Sequence, residues 1–269
     1  MKKTSYRSFK NKLKYTFSNL YKYYNTPKSI PVLCYHSVND LSCYDSDSIS
    51  LYNFESHLQH ISQYFVPIKL DNAIEQIKSS MIKLPNQVVI TFDDGYIDNY
   101  TQAFPLLMKY NIPATIFVVS DFINKNLCLI DNANFTSMCW SQIMDMVHSG
   151  IISIGSHTHT HPILSRIPNS KVIEELSISK NIIEEKINEC VNHFAFPNGQ
   201  KNDFPSNHDF LLRQAGYKSG FSTIWSCNNM PSDLYNIKRI MISSTDVLSH
   251  FKAKIHGHYD YLFYLQNLK

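Results

Sequence analysis

This 269-residue chain predicts an α/β fold with a mostly parallel sheet, open or closed into a barrel, and two observations carry that expectation. Short β-branched runs alternate with helical patterns of about 9–20 residues along most of the length. Several runs then end in polar clusters, and the C-terminal strand ends of a parallel sheet gather on the one face where ligands bind.

The elements follow in order. Residues 32–35, after Pro27 and Pro31, form a short apolar strand ending in His36. Residues 39–50, rich in Ser, Asp and Asn, predict an exposed loop. Asn53 is placed to cap a helix to about Tyr64, with Phe54, Leu58 and Ile61 on one face, and Asp71 to cap another over 71–79. Residues 88–90 form a buried strand that runs into Asp93, Asp94 and Gly95. A helix from Asp98, its candidate N-cap, to Tyr110 carries Pro105, where a kink is expected. Then come a strand over 115–119, a helix over 141–149 closed by Gly150, and a strand over 151–154 leading to Gly155, Ser156 and His157. The longest helix is expected within 168–190, with Glu174, Glu175, Glu184 and Glu185 on a solvated face. Strands over 193–196, 217–224 and 237–242 follow, with helices over 206–215 and from Asp246 onward.

At 43% hydrophobic residues the chain has material for a sizeable core, which excludes disorder. Of its 25 Lys and Arg, eight fall in residues 1–39 without a single acid, so the remaining 17 face all 22 Asp and Glu. The basic character therefore belongs to an arm, residues 1–27, and the mildly acidic body, 28–269, argues against nucleic acid as a partner. Leu13, Phe17, Leu20 and Tyr24 recur at helical spacing among the lysines. Such a helix suits peripheral contact of residues 1–26 with an anionic membrane surface, or a solvated helix resting on the domain. With no signal peptide or apolar span legible, a cytoplasmic location is expected, peripheral on the inner face of the membrane if the arm docks. The six cysteines form no C-x-x-C pattern and are expected to be reduced and mostly buried.

Two adjacent carboxylates at the mouth of an apolar strand are costly unless something compensates them. A metal does so, with one carboxylate as ligand and its neighbour free to move protons. His157 and His161 stand four apart at another strand end, and a helical turn there would face both imidazoles one way. Two imidazoles and one carboxylate, with positions left open, suit a catalytic divalent cation, most naturally zinc. His159, between them, is expected to point away from the pair and to lie outside the ligand set.

These motifs resemble the polysaccharide deacetylases of the NodB-homology type, carbohydrate esterase family 4, over residues 31–243. TFDDG at 91–95 matches the first motif of that family, SHTHTHP at 156–162 the second, and FAFPNG at 194–199 stands at the third. Trp140 with residues 151–162 is similar to the lead-in to the second motif. The resemblance implies a distorted (β/α) barrel of mostly parallel strands and removal of an N-acetyl group from an N-acetylhexosamine in a surface glycan or its precursor. It implies Asp93 as general base, Asp94, His157 and His161 as metal ligands, and the turn Pro197, Asn198, Gly199 as the backbone support of the oxyanion. His36, in LCYHSV, resembles the acid of the poly-N-acetylglucosamine deacetylases, whose histidine lies in a Y-H motif. The alternative acid is a C-terminal histidine, His250, His256 or His258. Ala195 stands where many members carry an arginine that holds the catalytic aspartate, which leaves open what orients Asp93. Asn198 replaces an aromatic residue, and Trp225 and 203–208 are candidates to line the sugar pocket. Without an export signal, the implied substrate is an N-acetylated sugar in glycan, lipid-linked or nucleotide-linked form. Two other readings stay open: a catalytically idle glycan-binding or scaffold protein, and a deacylase of a non-sugar amide.

Overall fold

The computed structural model describes residues 29–40, 47–123, 125, 136–225, 228–229 and 233–259. The arm 1–27 and Cys43, Cys128 and Cys227 lie outside the described residues. Strands β1 (Val32–Tyr35), β2 (Gln87–Phe92), β3 (Ala114–Val118), β4 (Ile152–Ser156), β5 (His193–Ala195), β6 (Ser219–Phe221) and β7 (Ile240–Met241) pair in the order β6-β5-β4-β3-β2-β1-β7, every pair parallel. A short strand, Val66–Pro67, pairs with β2 off this path. The segment leading into β7 turns back on the far edge, where Ile237 bridges Phe221 of β6. One short stretch of chain thus touches both edges of the sheet and curls it into a distorted barrel.

Strand alternation divides the apolar residues into two sets. Leu33, Ile90, Phe92, Ile116, Val118 and Phe194 point outward into the main core, shared with helices α1 (Leu51–Tyr64), α4 (Trp140–His148) and α5 (Asn169–Ile187). Val32, Val89, Phe117, Ala195, Phe221 and Ile237 point inward and pack with Leu70, Ala73, Ile74 and Ile77 of α2 (Leu70–Ser79). Asp71 of α2 meets His193, the first residue of β5, at 3.0 Å, so this helix lies across the N-terminal ends of the strands. Each such Leu, Ile or Phe contributes about 1.5–3 kcal/mol on burial. Gly155 is required where it stands, because a Cβ there would meet the Phe117 ring at 2.3 Å.

The N-terminal side of the helices departs from expectation. Ser50, not Asn53, caps α1 by accepting from the Asn53 amide at 3.3 Å. Lys69 precedes α2 with no side-chain cap, since Asp71 is engaged by His193. The region expected as one helix from Asp98 is a π turn, Asn99–Ala103, followed by α3 (Phe104–Tyr110), with Pro105 in the first turn of α3, where its missing N–H costs nothing. The longest helix, α5, lies within 168–190 as expected and is ended by Asn188 in the left-handed region. Helix α6 (His208–Gln214) is shorter than predicted, and the last described helix, α7 (Leu248–Ile255), starts two residues later than expected. Of the three described cysteines, all free thiols, only Cys34 is buried. No helix among the described residues is long and apolar enough to cross a membrane.

Candidate active site

The C-terminal ends of β1, β2, β4 and β5 open into a cleft of about 460 Å³. Alternation in β2 sends Val89, Thr91 and therefore Asp93 inward, and it would send Asp94 to the opposite side. The backbone prevents that. Asp94 and Gly95 both adopt left-handed φ, 74° and 75°, and the bend brings both carboxylates to the cleft. The same device operates after β4. His157 continues the inward parity of Ser153 and Gly155, while Thr158 (φ 69°) and His161 (φ 63°) fold the chain back. The expected helical turn is absent; residues 157–161 make an irregular turn with two strained positions, each costing on the order of 1–3 kcal/mol.

The imidazoles meet the carboxylate all the same. Asp94 Oδ1 lies 3.4 Å from Nε2 of His157 and 3.4 Å from Nε2 of His161, and the three ligand atoms fall within 4.8 Å of one another. His157 Nδ1–H donates to the Ala195 carbonyl at 2.8 Å, which leaves the Nε2 lone pair facing Asp94. Asp94 Oδ1 is buried and accepts no hydrogen bond from the protein. A buried carboxylate oxygen without a donor, between two imidazoles with Nε2 presented, is a donor set that fits a divalent cation. Burial alone would raise the Asp94 pKa, but the His157 contact and the nearby His161 outweigh it and hold the carboxyl below the ordinary range. Burial lowers His161 to about 4, which keeps its ring neutral, as ligation requires.

Asp93 stands beside this cluster with a different partner. Arg239 Nη1 and Nη2 donate to Asp93 Oδ1 and Oδ2 at 2.7 and 2.6 Å, a bidentate pair with the guanidinium fully buried. Arg239 is fixed in turn by the Ser222 carbonyl at 3.2 Å and the Thr91 hydroxyl at 3.3 Å. Burial pushes Asp93 up, but the charge and hydrogen bonds of Arg239 together with the nearby His157 and His36 outweigh it, so the carboxyl is held below its usual range. This arginine answers what orients Asp93 in the absence of one at position 195, and the sequence reading missed it. The available signal was a charged pair, Lys238 and Arg239, inside the otherwise apolar run 237–242, of which strand alternation must turn one inward.

His36 reaches the cleft from the end of β1, and one of its ring nitrogens lies within 4.8 Å of an Asp93 oxygen. Its segment is pinned to the π turn: Asn99 Nδ2 donates to the His36 carbonyl at 2.7 Å, and the buried Asp98 accepts from Ser37 Oγ, Asn39 Nδ2 and the Val38 amide. Asp98 is thus an anchor rather than a helix cap. Among the described residues no C-terminal histidine lines the cleft: His250 binds the Thr245 carbonyl and His256 lies against His60.

The turn after β5 is narrower in its offer than expected. Pro197 has no N–H, and the Gly199 N–H is engaged by the Pro197 carbonyl at 2.6 Å. Asn198 (φ 57°) lines the cleft and is the residue of the turn whose amide donates to no described group. Gly199, at φ 69°, would set a Cβ 2.8 Å from the Thr223 nitrogen, so only glycine fits. Asp47, Tyr96, Gln200, Asp203, Thr223 and Met241 complete the lining. Asp203 was expected there; Trp225 was a candidate and instead packs under Lys254 and beside Tyr259, outside the cleft. His159 is outside the candidate ligand set, as expected, and bonds Ser120 Oγ at 2.9 Å.

Comparison with known proteins places these residues in context. A family model described as polysaccharide deacetylase matches residues 83–220. The Bacillus subtilis (strain 168) protein YxkH is 28% identical over 233 residues, covering 85% of this chain and 77% of that protein. The poly-beta-1,6-N-acetyl-D-glucosamine N-deacetylase of Staphylococcus aureus (strain MRSA252) is 28% identical over 187 residues, which span 66% of this chain and 62% of that enzyme. Among solved structures, IcaB from Ammonifex degensii superposes with a TM-score of 0.73 at 26% identity, over 86% of this chain and 97% of that one.

Proposed function

The chain belongs to the polysaccharide deacetylase family, and from that premise we propose that it is a metal-dependent hydrolase removing the N-acetyl group from an N-acetylhexosamine of a surface glycan or its precursor. The observation that carries the reading is the convergence of Asp94, His157 and His161 on one point, with Asp93 beside them and unshared with it. The name of the staphylococcal relative makes a β-1,6-linked N-acetylglucosamine polymer the first substrate to test.

Asp94, His157 and His161 would hold the cation, zinc in the first instance. When bound, it supplies polarisation of the amide carbonyl and acidification of a water. Asp93 takes the proton from the attacking water, and Arg239 keeps that carboxylate ionised and aimed. The Asn198 amide, which donates to no described group of the protein, is the donor offered to the oxygen on which charge develops. His36, with a ring nitrogen within 4.8 Å of an Asp93 oxygen, delivers a proton to the departing amine.

The test is metal analysis of the purified protein together with acetate release from a panel of N-acetylhexosamine oligosaccharides and non-sugar N-acetyl amides, before and after chelation. Zinc-dependent acetate release from the sugars is expected. A zinc-loaded protein that releases acetate from none of them would remove the hydrolase reading, and release from non-sugar amides alone would transfer the activity to another substrate class.

A further inference from the structure

We propose that Glu175 is the positioning residue for the imidazole pair, clamping the 157–161 turn in the shape that returns His161 to Asp94; this rests on the metal reading above. Glu175 sits in the second turn of α5, on what the sequence presents as a solvated face. Its Oε2 accepts the N–H groups of both His159 and Thr160 at 2.8 Å, and its Oε1 accepts the Thr160 hydroxyl at 2.7 Å. Two successive amides converging on one oxygen form an anion-binding nest, and a carboxylate fills it with charge-assisted bonds.

The rest of the turn is held from the opposite side. The amides of Ser120 and Asp121 donate to the carbonyls of Thr158 and His159 at 3.3 and 3.0 Å, while Ser120 Oγ meets His159 Nδ1. Within the turn, Thr158 Oγ1 accepts the His161 amide at 2.9 Å. The segment after β3 thus engages the acceptors of the turn and Glu175 engages its donors. The left-handed residues Thr158 and His161 flank the two amides that Glu175 holds. Such strain persists only when the surroundings over-determine the conformation. The bonds of Glu175 go to His159 and Thr160, so it acts through the chain between the two ligands. Without it, the unfavourable φ values lose one of their two supports, and His161, the more exposed ligand, is the one released.

The experiment measures zinc affinity by chelator competition on the full chain for the wild type, Glu175→Gln, Glu175→Ala and Asp94→Ala. Thermal unfolding of each metal-free protein is measured in parallel. Glu175→Ala is expected to weaken zinc by about 10–100-fold, the range of residues that orient ligands, while the metal-free protein melts as the wild type does. Glu175→Gln, which keeps one acceptor oxygen, is expected to fall between. In a His161→Ala background, Glu175→Ala should cost no further affinity. Wild-type affinity in Glu175→Ala, an equal loss with and without His161, or a fall in metal-free stability at unchanged affinity would each overturn the clamp. Undiminished zinc binding in Asp94→Ala would overturn the metal reading instead, so the two failures are separable.

Discussion

Replacing Arg239 by methionine is the sharpest test of how the site is held. Arg239 and Asp93 are both buried, and the bidentate contact is the main compensation of the Asp93 charge. Two unit charges with centres about 4 Å apart attract by about 4 kcal/mol at an effective dielectric of 20. The variant also has an escape route: an isolated buried Asp93 protonates, which at pH 7 costs about 4 kcal/mol from an ordinary carboxyl pKa. Both routes agree with the roughly 3–5 kcal/mol measured when one partner of a buried pair is removed. Against a total stability of about 5–15 kcal/mol, that loss is large and readable by urea unfolding. Asp93→Asn in the same background removes the orphaned charge and should recover much of it. The pH dependence has a definite sign. In the wild type the Asp93 pKa is depressed, so its contribution is present above the unfolded carboxyl pKa and lost as pH falls through the folded one. In Arg239→Met the folded pKa lies above the unfolded one, so that variant gains stability as Asp93 takes up its proton, and the gap to wild type narrows from pH 7 toward pH 4. A destabilisation below about 1 kcal/mol, too small for a broken buried pair, or an equal loss at pH 7 and pH 4, would refute the assignment of Arg239 as the counter-charge.

Other outcomes follow from the same geometry. Asp94→Ala should abolish zinc binding measured by metal analysis, whereas Asp93→Asn should retain zinc and lose turnover; loss of metal in both would merge their roles. His36→Ala should lower the rate of acetate release by about 10²–10⁴-fold at unchanged zinc content, and an unchanged rate would remove it as the acid. A third prediction concerns the core between α1 and α7. His57 is fully buried, stacked on Phe251 at 3.9 Å, with Nε2–H donating to the Asp246 carbonyl and Nδ1 against the Tyr35 hydroxyl. Burial lowers its pKa to about 4, so between that value and the ordinary 6.5 only the unfolded chain takes up the proton. Stability should therefore fall by up to about 3 kcal/mol as pH drops from 6.5 to 4. His57→Gln should flatten that slope in urea titrations, and an unaltered slope would assign it to other groups.

Much of the site is legible in the chain because it is local. Asp93 and Asp94 adjoin a β-branched strand, and His157 and His161 stand four apart after another. Parallel strands bring their ends together whatever lies between them. The resemblance to a known family added roles to residues that the spacing had already singled out. Strand and helix order was equally readable, because hydrophobic periodicity is a property of short windows. Cap positions were less so. Ser50 competes with Asn53, and Asp71 and Asp98 were spent on His193 and on residues 37–39, partners 122 and about 60 positions away.

What only the tertiary structure decided is which distant groups answer the charges. Nothing near Ala195 or Asp93 in the chain announces Arg239, 146 residues from its partner, because barrel closure sets that register and no local pattern encodes it. Glu175 looked like one more solvated glutamate until the 157–161 turn, strained at Thr158 and His161, was folded against α5. A residue type shows what bonds a side chain is able to make. Burial and partners decide which of them it makes, and those exist only once the sheet has curled.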